Sequence, residues 1–138
     1  MNQIDLSCPP QAWPKRFSGI SAIGITDLAE GEDKSIWLLF QVEKGNVLST
    51  ACTWGFGSVM PEDVAELKPL IFVRADRATW ESLAVRDVAQ FHMKVQAGQI
   101  HMGGDFRLFA RNALSLMRSV EMTTLWADIE KIIQFMNQ

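Results

Sequence analysis

The stretch GQIHMGGDF, residues 98–106, decides how the chain is organised. Gly98 predicts the end of a helix, because glycine adopts the left-handed conformation that closes a helix at no steric cost. A short strand is expected next, with Ile100 and Met102 on one face and His101 on the other. The stretch therefore predicts a helix that is followed directly by a strand.

The end of the same stretch predicts a turn and a second helix. Gly103 and Gly104 are expected to turn the chain tightly. Asp105 can then cap a helix, because its carboxylate can accept from the free backbone N–H groups of the first helical turn. Apolar residues at helical spacing from Phe106 to Val120 predict a broad apolar stripe on that helix. Two apolar helices are thereby directed at one sheet.

The remaining periodicity predicts an α+β domain. Alternating apolar residues predict an antiparallel meander of three strands, a fourth strand near 70–75 and a fifth after Gly98. Helical segments are expected near 61–67, from Arg77, from Asp87, from Asp105 and from Thr123 or Thr124. This order favours one layer of helices that covers one face of a five-stranded sheet. Residues 1–19 are assigned to no regular element, since their prolines argue against one.

Size and composition narrow the class of protein. A chain of 138 residues predicts a single domain, 1–138. The net charge of −3 gives no basic surface for nucleic acid, and no apolar run approaches a transmembrane segment. The start of the chain lacks the features of a signal peptide, and Cys8 and Cys52 are too few for a disulfide framework. A cytoplasmic protein is therefore expected.

Two segments carry a resemblance to a known family. The spacing of glycines, aliphatic residues and aspartate in 98–106, followed by an apolar helix, resembles the sterol carrier protein 2 (SCP2) family of lipid-binding domains. Upstream, FVRADRATWESL, residues 72–83, is similar to that family's strand followed by a Thr-Trp-x-x-Leu helix. The resemblance runs from about 70 to about 120. It implies an SCP2-like fold with a five-stranded mixed sheet and an apolar tunnel between the sheet and the helices.

The resemblance and the helix phase together imply a lipid-binding wall. Its expected members are Phe40, Phe72, Phe91, Met102, Phe106, Phe109, Ala113, Met117, Leu125, Ile129 and Ile133. His92 is expected beside Phe91 and Val95 on an apolar helix face. It is either a polar group that forms a hydrogen bond with a ligand oxygen or a core histidine that pairs with a backbone carbonyl. Trp80 is expected to anchor its helix to the sheet.

The function implied by the resemblance is the non-catalytic binding and intracellular carriage of an apolar lipid. A sterol or steroid, a fatty acyl compound and an isoprenoid all fit an apolar tunnel. The partners expected are that lipid and a lipid-metabolising enzyme, with no nucleic acid, and the protein is expected to be a monomer or weak homodimer. No cofactor or metal is expected, since the sequence carries no metal-binding or phosphate-binding motif. The end of the chain lacks a peroxisomal signal, which favours a bacterial relative of the family.

Two alternatives remain open. The chain can be an accessory subunit that docks to an enzyme of lipid or steroid metabolism. It can also be a small cone-fold isomerase, which needs a buried acid as base and donors for an oxyanion. Asp27 or Asp76 inside an apolar pocket would favour the isomerase. Cys52 is expected to be a buried, small apolar residue rather than a nucleophile.

Overall fold

A central sheet of six strands organises the part of the chain that the structure describes. The structure is a computed structural model, and it describes residues 2–3, 17–28, 33–82, 88–105, 107, 131 and 133–134. The strands are β1 Asn2–Gln3, β2 Gly19–Thr26, β3 Lys34–Glu43, β4 Asn46–Phe56, β5 Ile71–Asp76 and β6 His101–Gly104. The helices described are α1 Glu62–Glu66, α2 Arg77–Ser82 and α3 Val88–Gln96. The predicted α+β class is confirmed.

The strand order is β1-β4-β3-β2-β5-β6. Strands β2, β3 and β4 form the predicted antiparallel meander, whereas β2 and β5 pair in parallel, so the sheet is mixed. The short strand β1 was not predicted, because two residues carry no periodicity. It pairs Asn2 with Cys52 and Gln3 with Ala51 at the outer edge of β4. The five longer strands are those that the sequence predicts.

Alternation along the strands gives the sheet two apolar faces. We call the first face the side that holds Ile23, Ile25, Ile36, Leu38, Phe40, Cys52, Ile71, Val73 and Ala75. We call the second face the side that holds Ala22, Trp37 and Leu39, with Ile20 and Phe72 half-buried beside them. Strand β3 is buried on both faces, which is typical of a central strand.

The helices lie on both sides of the sheet. Trp80 of α2 and Phe91 of α3 are fully buried in the cluster on the first face. Val64 of α1 is also fully buried, but in the cluster on the second face. The first face thus has the larger described cover, and the short helix α1 adds a partial cover to the second. No helix among the described residues is long and apolar enough to cross a membrane.

Three helix ends have the capping residue that the sequence predicts. The Asp76 Oδ1 accepts from the backbone N–H of Thr79 at 2.7 Å, and the Asp105 Oδ1 accepts from that of Arg107 at 2.9 Å. Gly98 has a φ of 78° and follows α3, as expected for a glycine that closes a helix. These three predictions are confirmed. The predicted cap at Asp87 and the helices expected beyond 107 lie largely outside the described residues.

The prediction of a tight turn at Gly103 and Gly104 is wrong. Both glycines belong to β6, where Gly103 pairs with Phe72 and Gly104 pairs with Ile71. The Phe72 ring lies directly over Gly103 and leaves no room for a Cβ. Gly104 has a φ of 91°, and a Cβ at this position would collide with the backbone of Leu70. Glycine is required here by close neighbours in the sheet, not by a change of chain direction.

Candidate functional site

The first face of the sheet is an apolar surface that several strands build together. In the sheet register, Ser21 of β2 lies between Phe40 of β3 and Ile71 of β5. Ile23 likewise lies between Leu38 and Val73, and Ile25 lies between Ile36 and Ala75. Each of these side chains is at most 3% exposed. Apart from Ser21, every one of them is apolar. The result is an extended surface along β2 that is apolar apart from Ser21, with apolar residues of β3 and β5 on either side.

The cover of the first face comes from elements after β5. Trp80 anchors α2, because its Nε1–H donates to the Gly24 carbonyl oxygen at 3.1 Å from a fully buried position. Phe91 and Ile100 bring α3 and the segment after it onto the same cluster. The predicted role of Trp80 as an anchor between helix and sheet is confirmed.

A rim of half-buried apolar side chains surrounds the buried cluster. These side chains are Val47, Trp54, Val95, Met102 and Ile133. They come from β4, α3, β6 and the segment near the C-terminus, so elements distant in sequence contribute to one surface. Half-buried apolar groups gain further stabilisation if a ligand or a partner removes their remaining surface from water.

Four of the predicted wall residues come together on the first face. Phe40 and Phe91 are fully buried there, whereas Met102 and Ile133 pack against the cluster from partly exposed positions. Six others lie outside the described residues. They are Phe106, Phe109, Ala113, Met117, Leu125 and Ile129.

Two other predicted lipid-binding residues, Phe72 of the wall and His92, are not part of the first-face cluster. Phe72 packs with Trp37 on the second face, where their ring centroids are 6.5 Å apart. His92 is exposed, and its ring meets Phe91 edge-on at a centroid distance of 6.2 Å. The expectation that His92 is buried on an apolar face is wrong, since the packing of α3 buries Phe91 and leaves the next residue toward solvent. His101 is exposed, as predicted.

Several residues of the first face were missing from the predicted wall. The aliphatic residues Ile23, Leu38 and Val73 form its middle row, and Ser21 lies at one end. Strand alternation was the signal that could have found them. It was not decisive, because the central strands are apolar on both sides and a single strand does not show which side carries a site.

Cys52 contributes a thiol to the buried cluster of the first face. It is fully buried, and this burial raises the pKa of the Cys52 thiol above its ordinary value of 9.0. A raised pKa keeps the thiol neutral at physiological pH, which disfavours a nucleophilic role. The prediction of a buried, apolar Cys52 is confirmed. Within the described ranges, no group of three or more histidine, cysteine or acidic residues could hold a metal ion.

A separate polar cleft of about 330 Å³ lies where β2 and β5 end and α2 begins. Its lining consists of Thr26, Asp27, Ser58, Arg74, Ala75, Asp76, Thr79, Gly98, Gln99 and His101. Arg74 donates from Nη1 to the carbonyl oxygen of Ser58, and Asp76 caps α2. Asp27 and Asp76 thus line a polar cleft and not an apolar pocket, and no buried residue in the described part of the chain is charged. This arrangement does not favour the cone-fold isomerase.

Comparison with known proteins finds similar solved structures. No protein-family model matches this chain, and no curated protein matches it. One similar structure is TT1886 of Thermus thermophilus, a conserved hypothetical protein described as a candidate sterol carrier protein. It has a TM-score of 0.47 and 16% identity over 77% of this chain and 68% of that one.

Two further structures are similar. One is a sterol carrier protein 2, with a TM-score of 0.46 and 15% identity over 76% of this chain and 72% of that chain. The other is described as UbiJ-SCP2, a ubiquinone synthesis protein, with a TM-score of 0.40 and 14% identity over 78% of this chain and 71% of that one.

Proposed function

We propose that this protein binds an apolar lipid non-catalytically between the first face and the C-terminal helices and carries it inside the cell. The observation that carries the proposal is the apolar first face with its half-buried rim, to which Met102 and Ile133 contribute from late in the chain. The sequence motifs that resemble SCP2 domains support the same function. The proposed ligands are a sterol or steroid, a fatty acyl compound or an isoprenoid.

Burial of hydrocarbon is sufficient for useful affinity. Each buried methylene contributes about 0.8 kcal/mol, so a ten-carbon chain gains about 8 kcal/mol before ordering costs. After those costs, a Kd in the micromolar range or lower is expected. Such a site needs no charged residue, and none is buried in the described ranges.

We propose a cytoplasmic protein that delivers its lipid to an enzyme of lipid metabolism, as a monomer or a weak homodimer. The apolar wall of the site would consist of Phe40, Phe91, Met102 and Ile133, with Phe106, Phe109, Ala113, Met117, Leu125 and Ile129 from the predicted C-terminal helices. Phe72 and His92 are not included, because Phe72 packs on the second face and His92 is exposed to solvent.

A matched pair of methionines tests the proposal. Met102 is half-buried at the first face, and Met60 is half-buried at the second. We expect Met102→Gln to weaken the binding of methyl cis-parinarate, a fluorescent C18 fatty acyl ester, about fivefold, since it removes roughly 1 kcal/mol of apolar contact. Met60→Gln makes the same chemical change on the other side of the sheet and is expected to alter the Kd less than about twofold. Equal effects of the two substitutions would contradict the assignment of the site to the first face.

A further inference from the structure

Ser21 is a hydroxyl side chain in an otherwise apolar part of the first face. Its exposed fraction is 0%, and its Oγ has no hydrogen-bond partner among the residues that the structure describes. The sheet register pairs Ser21 with Phe40 on one side and with Ile71 on the other. Paired residues on adjacent strands point to the same face, so the Ser21 hydroxyl lies on the first face between these two apolar side chains.

A buried hydroxyl without a partner is unusual in a native protein. Buried polar groups nearly always form hydrogen bonds, because leaving one unpaired sacrifices its interaction with water. The described residues contain two other side chains of this kind, Ser35 and Trp37. Both belong to the second face, because Ser35 and Trp37 alternate along β3 with the first-face residues Ile36 and Leu38. Ser21 is therefore the one member of this group that faces the proposed ligand.

The position of Ser21 suits one end of an elongated ligand. The first-face residues of β2 are Ser21, Ile23 and Ile25 in order along the strand. With a rise of about 3.3 Å per residue, Ile25 lies roughly 13 Å from Ser21. A molecule aligned with β2 can place an oxygen at Ser21 and its hydrocarbon over the two isoleucines.

The surroundings of Ser21 also favour a neutral oxygen over a charged one. A pure hydrocarbon would leave the hydroxyl without a partner, which carries a cost. A carboxylate would lose its hydration beside Phe40 and Ile71, and no buried cation in the described ranges compensates that loss. An alcohol, a ketone or an ester carbonyl avoids both costs, since each can accept the Ser21 O–H without a net charge.

We propose that Ser21 is a specificity-determining residue that donates a hydrogen bond to a neutral oxygen at one end of an otherwise apolar ligand. The inference rests on the proposed function, because it assigns a ligand class to the same face. It favours sterols, ketosteroids, and isoprenoid alcohols or quinones over free fatty acids as the natural cargo.

Two pyrene probes of equal chain length test the assignment by fluorescence titration. One is 12-(1-pyrenyl)dodecanol, which carries a terminal hydroxyl, and the other is 1-dodecylpyrene, which does not. We expect the unmodified protein to bind the alcohol about tenfold more tightly than the hydrocarbon, and Ser21→Ala to bind the two within about twofold of each other. Ser49→Ala is the control, because the Ser49 hydroxyl is bonded to Gln41 away from this row. It should keep the preference for the alcohol.

The outcomes separate the two proposals. If Ser21→Ala still prefers the alcohol, the role of Ser21 is wrong while lipid binding at the first face stands. If the unmodified protein binds neither probe, the proposed function fails and the inference fails with it. The thermal midpoint of the ligand-free variant is a second readout. It should not fall below that of the unmodified protein, and a drop of several degrees would show that Ser21 is bonded within the protein.

Discussion

The contact between the Phe72 ring and Gly103 predicts a large and specific effect of one methyl group. A Cβ added to Gly103 would stand 2.9 Å from Cε2 of Phe72 and closer still to two other ring carbons. Carbon atoms in favourable contact are about 3.5–4.0 Å apart, so the ring or the strand must move. We expect Gly103→Ala to lower the free energy of unfolding by about 1–3 kcal/mol, the usual cost of forced overpacking.

A double-mutant cycle in urea tests this cause. In a Phe72→Ala background the ring is gone, and Gly103→Ala should then cost less than about 0.5 kcal/mol, which gives a coupling energy of about 1–2 kcal/mol. Gly104→Ala is the matched control. Its Cβ would stand 2.8 Å from the Leu70 carbonyl carbon and its φ of 91° is strained for alanine, so removal of Phe72 should not reduce its cost. An unchanged cost of Gly103→Ala without the ring would refute the reasoning.

Three further predictions concern the scaffold of the site. Trp80→Phe loses the hydrogen bond to the Gly24 carbonyl and should destabilise by about 1–2 kcal/mol, whereas Trp80→Ala should cost about 3–5 kcal/mol in chemical denaturation. Asp76→Ala removes the cap on the Thr79 N–H and should cost about 1 kcal/mol, while Asp76→Asn should retain most of the stability. The raised pKa of Cys52 means that the unfolded chain loses its thiol proton at lower pH than the folded protein. The neutral thiol is therefore favoured more in the folded protein than in the unfolded chain, and this stabilises the fold. The stabilisation is fully present below the ordinary pKa of 9.0 and is lost as pH rises through the raised pKa. Cys52→Ala should flatten the decline in stability between neutral and alkaline pH, and an unaltered slope would contradict this.

The features that the sequence predicts correctly depend on a few neighbouring residues. Asp76 and Asp105 cap because their carboxylates reach backbone N–H groups two or three residues further on. Gly98 closes α3 because glycine alone adopts its backbone conformation without strain. Strand alternation likewise predicts the meander. Each of these signals comes from residues close together in the chain, so the sequence alone carries it.

The features that the sequence does not predict depend on contacts between distant residues. Gly103 and Gly104 have the composition of a turn, but Phe72 and Leu70 on β5 are what require glycine in β6. Phe72 is a large apolar residue in a strand, which is what the sequence analysis expects of a wall residue. Its side of the sheet is set by the register with neighbouring strands, which the sequence of β5 alone does not contain.

The candidate site also combines features that the sequence predicts with features that depend on contacts between distant residues. Helix phase places Phe91 and His92 on one broad stripe, and only the packing of α3 on the sheet decides that Phe91 is buried and its neighbour exposed. Ser21 was not predicted, because a serine in an alternating strand gives no sign that its hydroxyl will be left among apolar side chains. Its importance emerges from the register with Phe40 and Ile71.

Native mass spectrometry of the freshly purified protein, followed by organic extraction and identification of the released compound, tests the central claim most directly. Lipid binding by this protein predicts an added mass of one apolar molecule per chain, and the hydrogen bond proposed for Ser21 predicts that this molecule carries a neutral oxygen. A bare chain mass, together with no saturable binding of a sterol, an acyl chain or an isoprenoid quinone, would contradict lipid binding and favour the docking subunit.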